Sequence, residues 1–169
     1  MQYIAKTKTI NKTKNCIYRE GIAMTVAVAQ EKKPLIRFDM NKCAFCKICE
    51  LSCAKQHYGN YGDAISRITV IRKNFTLFKC FICTRCDKRF CVSACPKGAL
   101  SYKEGNMVVD EKLCNSCGNC VKACPFHGIR LHPKNKMPIM CDLCDGDPSC
   151  VKACPKKALS LIWLPQTRK

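Results

Sequence analysis

Apolar residues occur in short runs along this chain, separated by polar and glycine-containing turns. Residues 35–39 and 68–72 predict two short β-strands. Residues 99–110 alternate on both sides of Gly105-Asn106, which predicts a β-hairpin that turns at this pair. No apolar run approaches the length of a membrane-spanning helix. The pattern therefore predicts small hairpins.

Three segments of the chain repeat one another. They begin at Cys91, Cys120 and Cys150, align without gaps and start 29 and 30 residues apart. Each one predicts a single turn of helix, a Cys-Pro turn and a short apolar strand. One small structural unit is thus expected to recur.

The second repeat carries the cysteine run Cys114, Cys117, Cys120 and Cys124-Pro125, with the spacing C-x2-C-x2-C-x3-C-P. Bacterial-type ferredoxins use this run to bind cubane iron–sulfur clusters, and its fourth cysteine ligates a second cluster. Gly118 lets backbone N–H groups face the cluster sulfurs, and Pro125 pushes Cys124 out of the helical region. One intact motif therefore predicts two clusters.

Three further versions of the motif are present. They consist of Cys43, Cys46, Cys49 and Cys53 with Ala54 in place of the proline; Cys83, Cys86, Cys91 and Cys95-Pro96; and Cys141, Cys144, Cys150 and Cys154-Pro155. Of the 18 cysteines, Cys16 and Cys80 lie outside the four motifs, and we expect both to be unligated thiols. Cys80, Cys83 and Cys86 also have the spacing C-x2-C-x2-C, so Cys80 is an alternative ligand in the second motif.

The motifs predict an α+β fold of two tandem bacterial-ferredoxin-like modules, with short hairpins and single-turn helices around four [4Fe-4S] clusters. Cysteines make up much of the hydrophobic residue count. We therefore expect bound metal to hold the fold together and the metal-free chain to be unfolded. Regular runs ending in Cys-Pro argue against a disulfide scaffold. Structural zinc is a remote alternative, because zinc sites usually use two separated cysteine pairs.

The formal net charge is +18 when thiols count as neutral. Four cubanes at about −2 each lower it to about +10. We interpret the remaining charge as a solvated face or a docking face for an acidic partner. Nucleic acid binding is a remote alternative, since neither an aromatic-basic pattern nor a helix-turn-helix pattern is present.

The organisation along the chain follows the cysteines. We expect a basic N-terminal arm over residues 1–34, a four-cluster domain over 35–163 with an insertion at 55–77, and a C-terminal tail over 164–169. The run 21–29 resembles part of a signal peptide, but Glu20 interrupts its flank and no Arg-Arg pair occurs, so we expect a cytoplasmic protein. Met24 is an alternative start. His57 is expected to be an ordinary packing or surface histidine, with a hydrogen bond to a cluster sulfur as the alternative.

At its cysteine motifs the sequence resembles the four-cluster electron-transfer subunits of molybdenum and tungsten oxidoreductases and of some hydrogenases, including those of dimethyl sulfoxide reductase and formate dehydrogenase. The resemblance covers residues 35–163. It implies that the first motif pairs with the fourth and the second with the third. The implied iron ligand sets are Cys43, Cys46, Cys49 with Cys154; Cys141, Cys144, Cys150 with Cys53; Cys83, Cys86, Cys91 with Cys124; and Cys114, Cys117, Cys120 with Cys95.

The segment from Cys53 to His57, followed by residues 65–70, is similar to the compact subunits that accompany tungsten aldehyde oxidoreductases. This resemblance implies a relay of single electrons between a larger tungsten- or molybdenum-pterin, aldehyde-oxidising subunit and ferredoxin or a flavoprotein. The chain is then not an enzyme by itself, and no catalytic motif is evident. The alternatives are a free-standing polyferredoxin and a hydrogenase or formate dehydrogenase subunit.

Overall fold

The computed structural model describes residues 32–75, 77–103 and 105–165. Within them the chain forms eight short strands and four α-helices, together with two 3-10 helices at Asp63–Ile65 and Leu143–Gly146. The strands are β1 Lys32–Phe38, β2 Thr69–Arg72, β3 Phe78–Phe81, β4 Leu100–Lys103, β5 Asn106–Val109, β6 Ile129–Leu131, β7 Pro138–Met140 and β8 Leu159–Pro165. The helices are α1 Ile48–Tyr58, α2 Phe90–Ser93, α3 Asn119–Ala123 and α4 Ser149–Lys152.

Three of the helices have the predicted length of about one turn, but α1 has 11 residues. The prediction of single-turn helices was wrong for this first motif. A proline follows the last cysteine of the other three motifs and disfavours helical backbone at that cysteine, as the extended Cys124 shows (φ −82°, ψ 108°). Ala54 imposes no such restriction, so α1 continues until Gly59, whose φ of 71° ends it.

The strands form four separate two-stranded antiparallel sheets. Sheet β1–β8 pairs Ile36 with Leu161 and therefore joins the two ends of the described chain. The other pairs, β2–β3, β4–β5 and β6–β7, are hairpins of neighbouring strands. One ferredoxin-like module is consequently built from both ends of this region, and the other is nested within it.

Each module has its own buried core, and cysteines form a large part of both. The first core contains Cys53, Cys141 and Cys150 among the side chains Ile36, Ile68, Ile82, Leu143 and Leu159. The second contains Cys91 and Cys120 with Leu100, Ile129 and Met140. Half-buried Cys83 packs against both, so the two cores adjoin at this residue.

Some predicted boundaries differ from the observed ones. Asn106 pairs with Lys103 and is the first residue of β5, so it does not belong to the turn, as the predicted Gly105-Asn106 turn required. Strand β1 begins inside the segment predicted to be an arm, and β8 extends to Pro165, into the predicted tail. Cys16, the run 21–29 and Met24 lie outside the described residues. Within the described part of the chain, no helix is long and apolar enough to cross a membrane.

Candidate iron–sulfur cluster sites

The first group of thiols, site 1, lines a cavity beside the β1–β8 sheet. Its cysteines are Cys43, Cys46, Cys49 and Cys154. The backbone N–H of Phe45 donates to Cys43 Sγ at 3.4 Å, and that of Ala158 donates to Cys154 Sγ at 3.2 Å. Such donors stabilise negative charge on sulfur. The cavity is thus lined by thiols from both ends of the described chain.

A second cavity, site 4, is lined by Cys95, Cys114, Cys117 and Cys120. Gly118, with φ 75°, forms the turn that leads into α3, as its role in the motif predicts. Lys47 and Arg89 adopt the same left-handed conformation at the start of α1 and α2. Slight burial acts to raise the pKa of Cys95, but backbone N–H groups of residues 97–100 outweigh it and lower that pKa.

Between these cavities lies site 2, formed by Cys53, Cys141, Cys144 and Cys150. Burial raises the pKa of Cys150, and negative charge on the other three thiols raises it further. The backbone N–H of Arg67 donates to Cys53 Sγ at 3.3 Å, and that of Leu143 donates to Cys141 Sγ at 3.4 Å. Site 2 therefore combines close thiols with donors directed at their sulfurs.

Site 3 consists of Cys83, Cys86, Cys91 and Cys124. Burial raises the pKa of Cys91 to about 11, with further contributions from the charges of Cys83, Cys86 and Cys124. Gly128 lies so close to this site that an added Cβ would be 2.6 Å from Cys83 Cα. A glycine is thus required where the turn after Cys124 passes the loop of Cys83.

The four sites follow one another in space. Helix α1 carries Cys49 of site 1 and Cys53 of site 2. Sites 3 and 4 are connected in the same way, by Cys91 and Cys95 around α2. Sites 2 and 3 adjoin, because Cys83 of site 3 packs against the buried core that contains the site 2 cysteines Cys53, Cys141 and Cys150. The order is therefore 1, 2, 3, 4.

These four groupings are the sets that the family resemblance implies. That each set ligates one cluster stays a prediction. The alternative ligand Cys80 lies on β3, where burial raises its pKa to about 12 and the charges of Cys49 and Cys43 are the next causes. Cys80 packs against the first core together with Cys49 of site 1 and Cys83 of site 3. Its assignment as a ligand stays a prediction.

Two polar groups beside the sites were missed by the sequence analysis. The Glu50 side chain is only 2% exposed and accepts hydrogen bonds from the Val70 N–H and Lys47 Nζ, both at 2.6 Å. At site 2, Asp142 accepts hydrogen bonds from Arg67 Nη1 and from the Cys144 N–H. Nothing in the sequence marks these residues, because Val70, which bonds to Glu50, and Arg67, which bonds to Asp142, are distant along the chain.

The residues present fit iron–sulfur clusters. The pKa values of half-buried Cys49 and buried Cys141 are raised by burial to about 12, so these thiols ionise at neutral pH only when a metal replaces the proton. Backbone N–H groups donate to cysteine sulfurs at sites 1, 2 and 4, which is the pattern that tunes cluster potentials in proteins.

Comparison with known proteins agrees with this chemistry. Two family models, each described as a 4Fe-4S dicluster domain, match residues 79–128 and 106–155. A putative electron transport protein of Escherichia coli, YsaA, is 37% identical over 113 residues, which cover 62% of this chain and 71% of that protein. The chain belongs to the 4Fe-4S dicluster ferredoxin family. Together with the sixteen motif cysteines, the matches establish four [4Fe-4S] clusters.

Other relatives carry related names. The polyferredoxin-like subunit of the aliphatic sulfonate oxidoreductase of Pyrococcus furiosus is 39% identical over 104 residues, 60% of each chain. Electron transport protein HydN of Escherichia coli is 34% identical over 95 residues, 52% of this chain and 54% of HydN. The chain thus spans little more than half the length of these two relatives.

Among solved structures, a chain of the active-site complex of benzoyl-coenzyme A reductase, as isolated, matches with a TM-score of 0.50 and 26% identity. The match covers 82% of this chain and 81% of that one. This ferredoxin-family member is therefore an iron–sulfur protein of mixed α and β structure. The prediction of four [4Fe-4S] clusters is confirmed.

Proposed function

We propose that this ferredoxin is a relay subunit that passes single electrons between a larger catalytic oxidoreductase subunit and ferredoxin or a flavoprotein. The observation that carries the proposal is the linear order of the four sites. Of the cysteines in the described residues, Cys46 of site 1 and Cys117 of site 4 are exposed, whereas the others are buried or half-buried. Such a line has one accessible end for each redox partner.

The proposal assigns sixteen cysteines as iron ligands, four to each site as defined above. When bound, the clusters supply one-electron oxidation and reduction. The chain itself holds them with thiolates, donates backbone N–H groups to their sulfurs and keeps the inner sites away from water. Cys53, Cys91, Cys120, Cys141 and Cys150 are buried. No proton transfer is required of the protein in this role.

For the partner we propose a catalytic subunit with a tungsten or molybdenum pterin that oxidises an aldehyde. The support is the resemblance of the motifs to compact subunits of tungsten aldehyde oxidoreductases. The name of the Pyrococcus furiosus relative, a subunit of an oxidoreductase, supports the coarser part of the proposal, namely service to a larger enzyme. The basic charge of the chain suits an acidic docking partner.

Native purification under anaerobic conditions tests the proposal. We expect about sixteen iron and sixteen sulfide per chain, with a larger subunit that copurifies and contains tungsten or molybdenum. A chain that purifies alone, fully loaded with iron, would favour the free-standing polyferredoxin. Zinc without sulfide would overturn the cluster assignment.

A further inference from the structure

The side chain of His57 lies against a thiol of site 2. His57 is in the last turn of α1 and its side chain is 12% exposed. Its Nε2 is 3.4 Å from Cys144 Sγ and 3.4 Å from Asp142 Oδ1. Because His57 follows Cys53 by four residues on one helix, both side chains occupy the same face. The extension of α1 beyond Cys53 therefore brings the imidazole to site 2.

The direction of this contact follows from the chemistry of its partners. A thiolate bound to iron and a carboxylate both accept hydrogen bonds and cannot donate them. A ring nitrogen that faces both acceptors must carry a hydrogen, so Nε2 donates. Asp142 is itself held by the Arg67 guanidinium and by the Cys144 N–H at 3.0 Å. Cys144 Sγ and Asp142 Oδ1 thus share the one hydrogen of Nε2, and the position of the carboxylate does not depend on the imidazole.

This donor distinguishes site 2 from the other sites. Backbone N–H groups donate to sulfur at Cys43, Cys53, Cys95, Cys141 and Cys154. In the regions that the structure describes, His57 is the one side-chain nitrogen bonded to a cysteine sulfur. Ser149 Oγ, at 3.9 Å from Cys144 Sγ, is a weaker second contact.

We propose that His57 is a positioning residue that donates a hydrogen bond to Cys144 Sγ and raises the reduction potential of the cluster at site 2. Reduction adds negative charge to the cluster and its thiolates, so a donor to sulfur stabilises the reduced form more than the oxidised form. An electron on the clusters is then held preferentially at site 2, between the two end sites. The proposal rests on the proposed function only for the assignment of Cys144 as an iron ligand.

Redox titration of the purified full chain, followed by electron paramagnetic resonance, tests this role. His57→Leu removes the donor, and His57→Gln keeps an N–H at similar length. We expect His57→Leu to lower the reduction potential of one of the four clusters by about 59 mV, which shifts its one-electron equilibrium about tenfold toward the oxidised form. His57→Gln should retain most of the original potential. Gln56→Leu, which introduces the same side chain at an exposed position of α1, is the matched control and should change none.

A second measurement does not require a variant. Pulsed paramagnetic resonance of the reduced wild-type protein with ¹⁵N-labelled histidine should detect a nitrogen coupled to one cluster. Unchanged potentials in a fully loaded His57→Leu protein would overturn the proposal, as would equal shifts in the Leu and Gln variants or an absent ¹⁵N coupling. These outcomes leave the relay function intact, whereas a wild-type chain without iron at Cys144 would overturn both.

Discussion

The buried Glu50 provides a quantitative test of how the loop of site 1 is held. Its carboxylate joins two segments, since it accepts hydrogen bonds from the Val70 N–H of β2 and from Lys47 Nζ, both at 2.6 Å. Lys47 Nζ also donates to the Val70 carbonyl. Lys47 lies between Cys46 and Cys49 and lines the cavity of site 1. Loss of this pair should therefore loosen the site 1 loop.

The loss in the free energy of unfolding depends on which member of the Glu50–Lys47 pair is replaced. Glu50→Gln keeps an acceptor for the Val70 N–H and loses only the ion pair, worth about 1 kcal/mol because the Lys47 side chain is 32% exposed. Glu50→Leu leaves the Val70 N–H unpaired as well, for a total of about 2–4 kcal/mol. Lys47→Met leaves a buried carboxylate without its cation, at about 3–5 kcal/mol. We expect stability to fall in that order.

The rate at which the visible absorbance of the clusters is lost in guanidinium under anaerobic conditions measures this change in stability. At a tenfold change per about 1.4 kcal/mol, a cost of about 3–5 kcal/mol means that Lys47→Met should release a cluster about a hundredfold to a few thousandfold faster than the wild type. The double variant Lys47→Met/Glu50→Gln should resemble Glu50→Gln more than the sum of the two single variants. If Glu50→Gln loses clusters as fast as Lys47→Met, the argument from the unpaired buried charge is refuted.

Three further substitutions test other features. Gln56→Pro, at an exposed position of α1, should weaken the last helical turn by about 3 kcal/mol and lower the same single potential as His57→Leu; Gln56→Ala should leave that potential unchanged in the same titration. Gly128→Ala places a Cβ 2.6 Å from the Cys83 backbone and should reduce the iron content, whereas Gly62→Ala, whose nearest neighbour is an Ile65 side-chain carbon at 3.6 Å, should not. Cys80→Ser should keep the full iron and sulfide content, and loss of about four iron atoms would instead make Cys80 a ligand.

Local features of the fold were predicted well from the sequence. Short helices at α2, α3 and α4 follow from the repeated spacing, and the extended backbone of Cys124 follows from Pro125. These outcomes depend on residues within one turn of each other, where steric restrictions act directly. The length of α1 was missed, although the replacement of proline by Ala54 was visible in the sequence.

Contacts between distant segments could not be predicted in the same way. His57 of α1 meets Cys144, 87 residues further along the chain, and the neighbouring Asp142 only in the folded domain. Glu50 likewise accepts a hydrogen bond from the N–H of Val70, which lies inside the insertion at 55–77. Neither pair leaves a periodic or spacing signal in the sequence.

The sequence by itself determined the chemistry of the protein, because closely spaced thiols followed by proline define a cluster loop through local geometry. Only the tertiary structure decided the order of the sites, the exposure of Cys46 and Cys117 at its two ends, and the donor at Cys144. These properties depend on packing between segments far apart along the chain, and the free energy of that packing is summed over the whole domain.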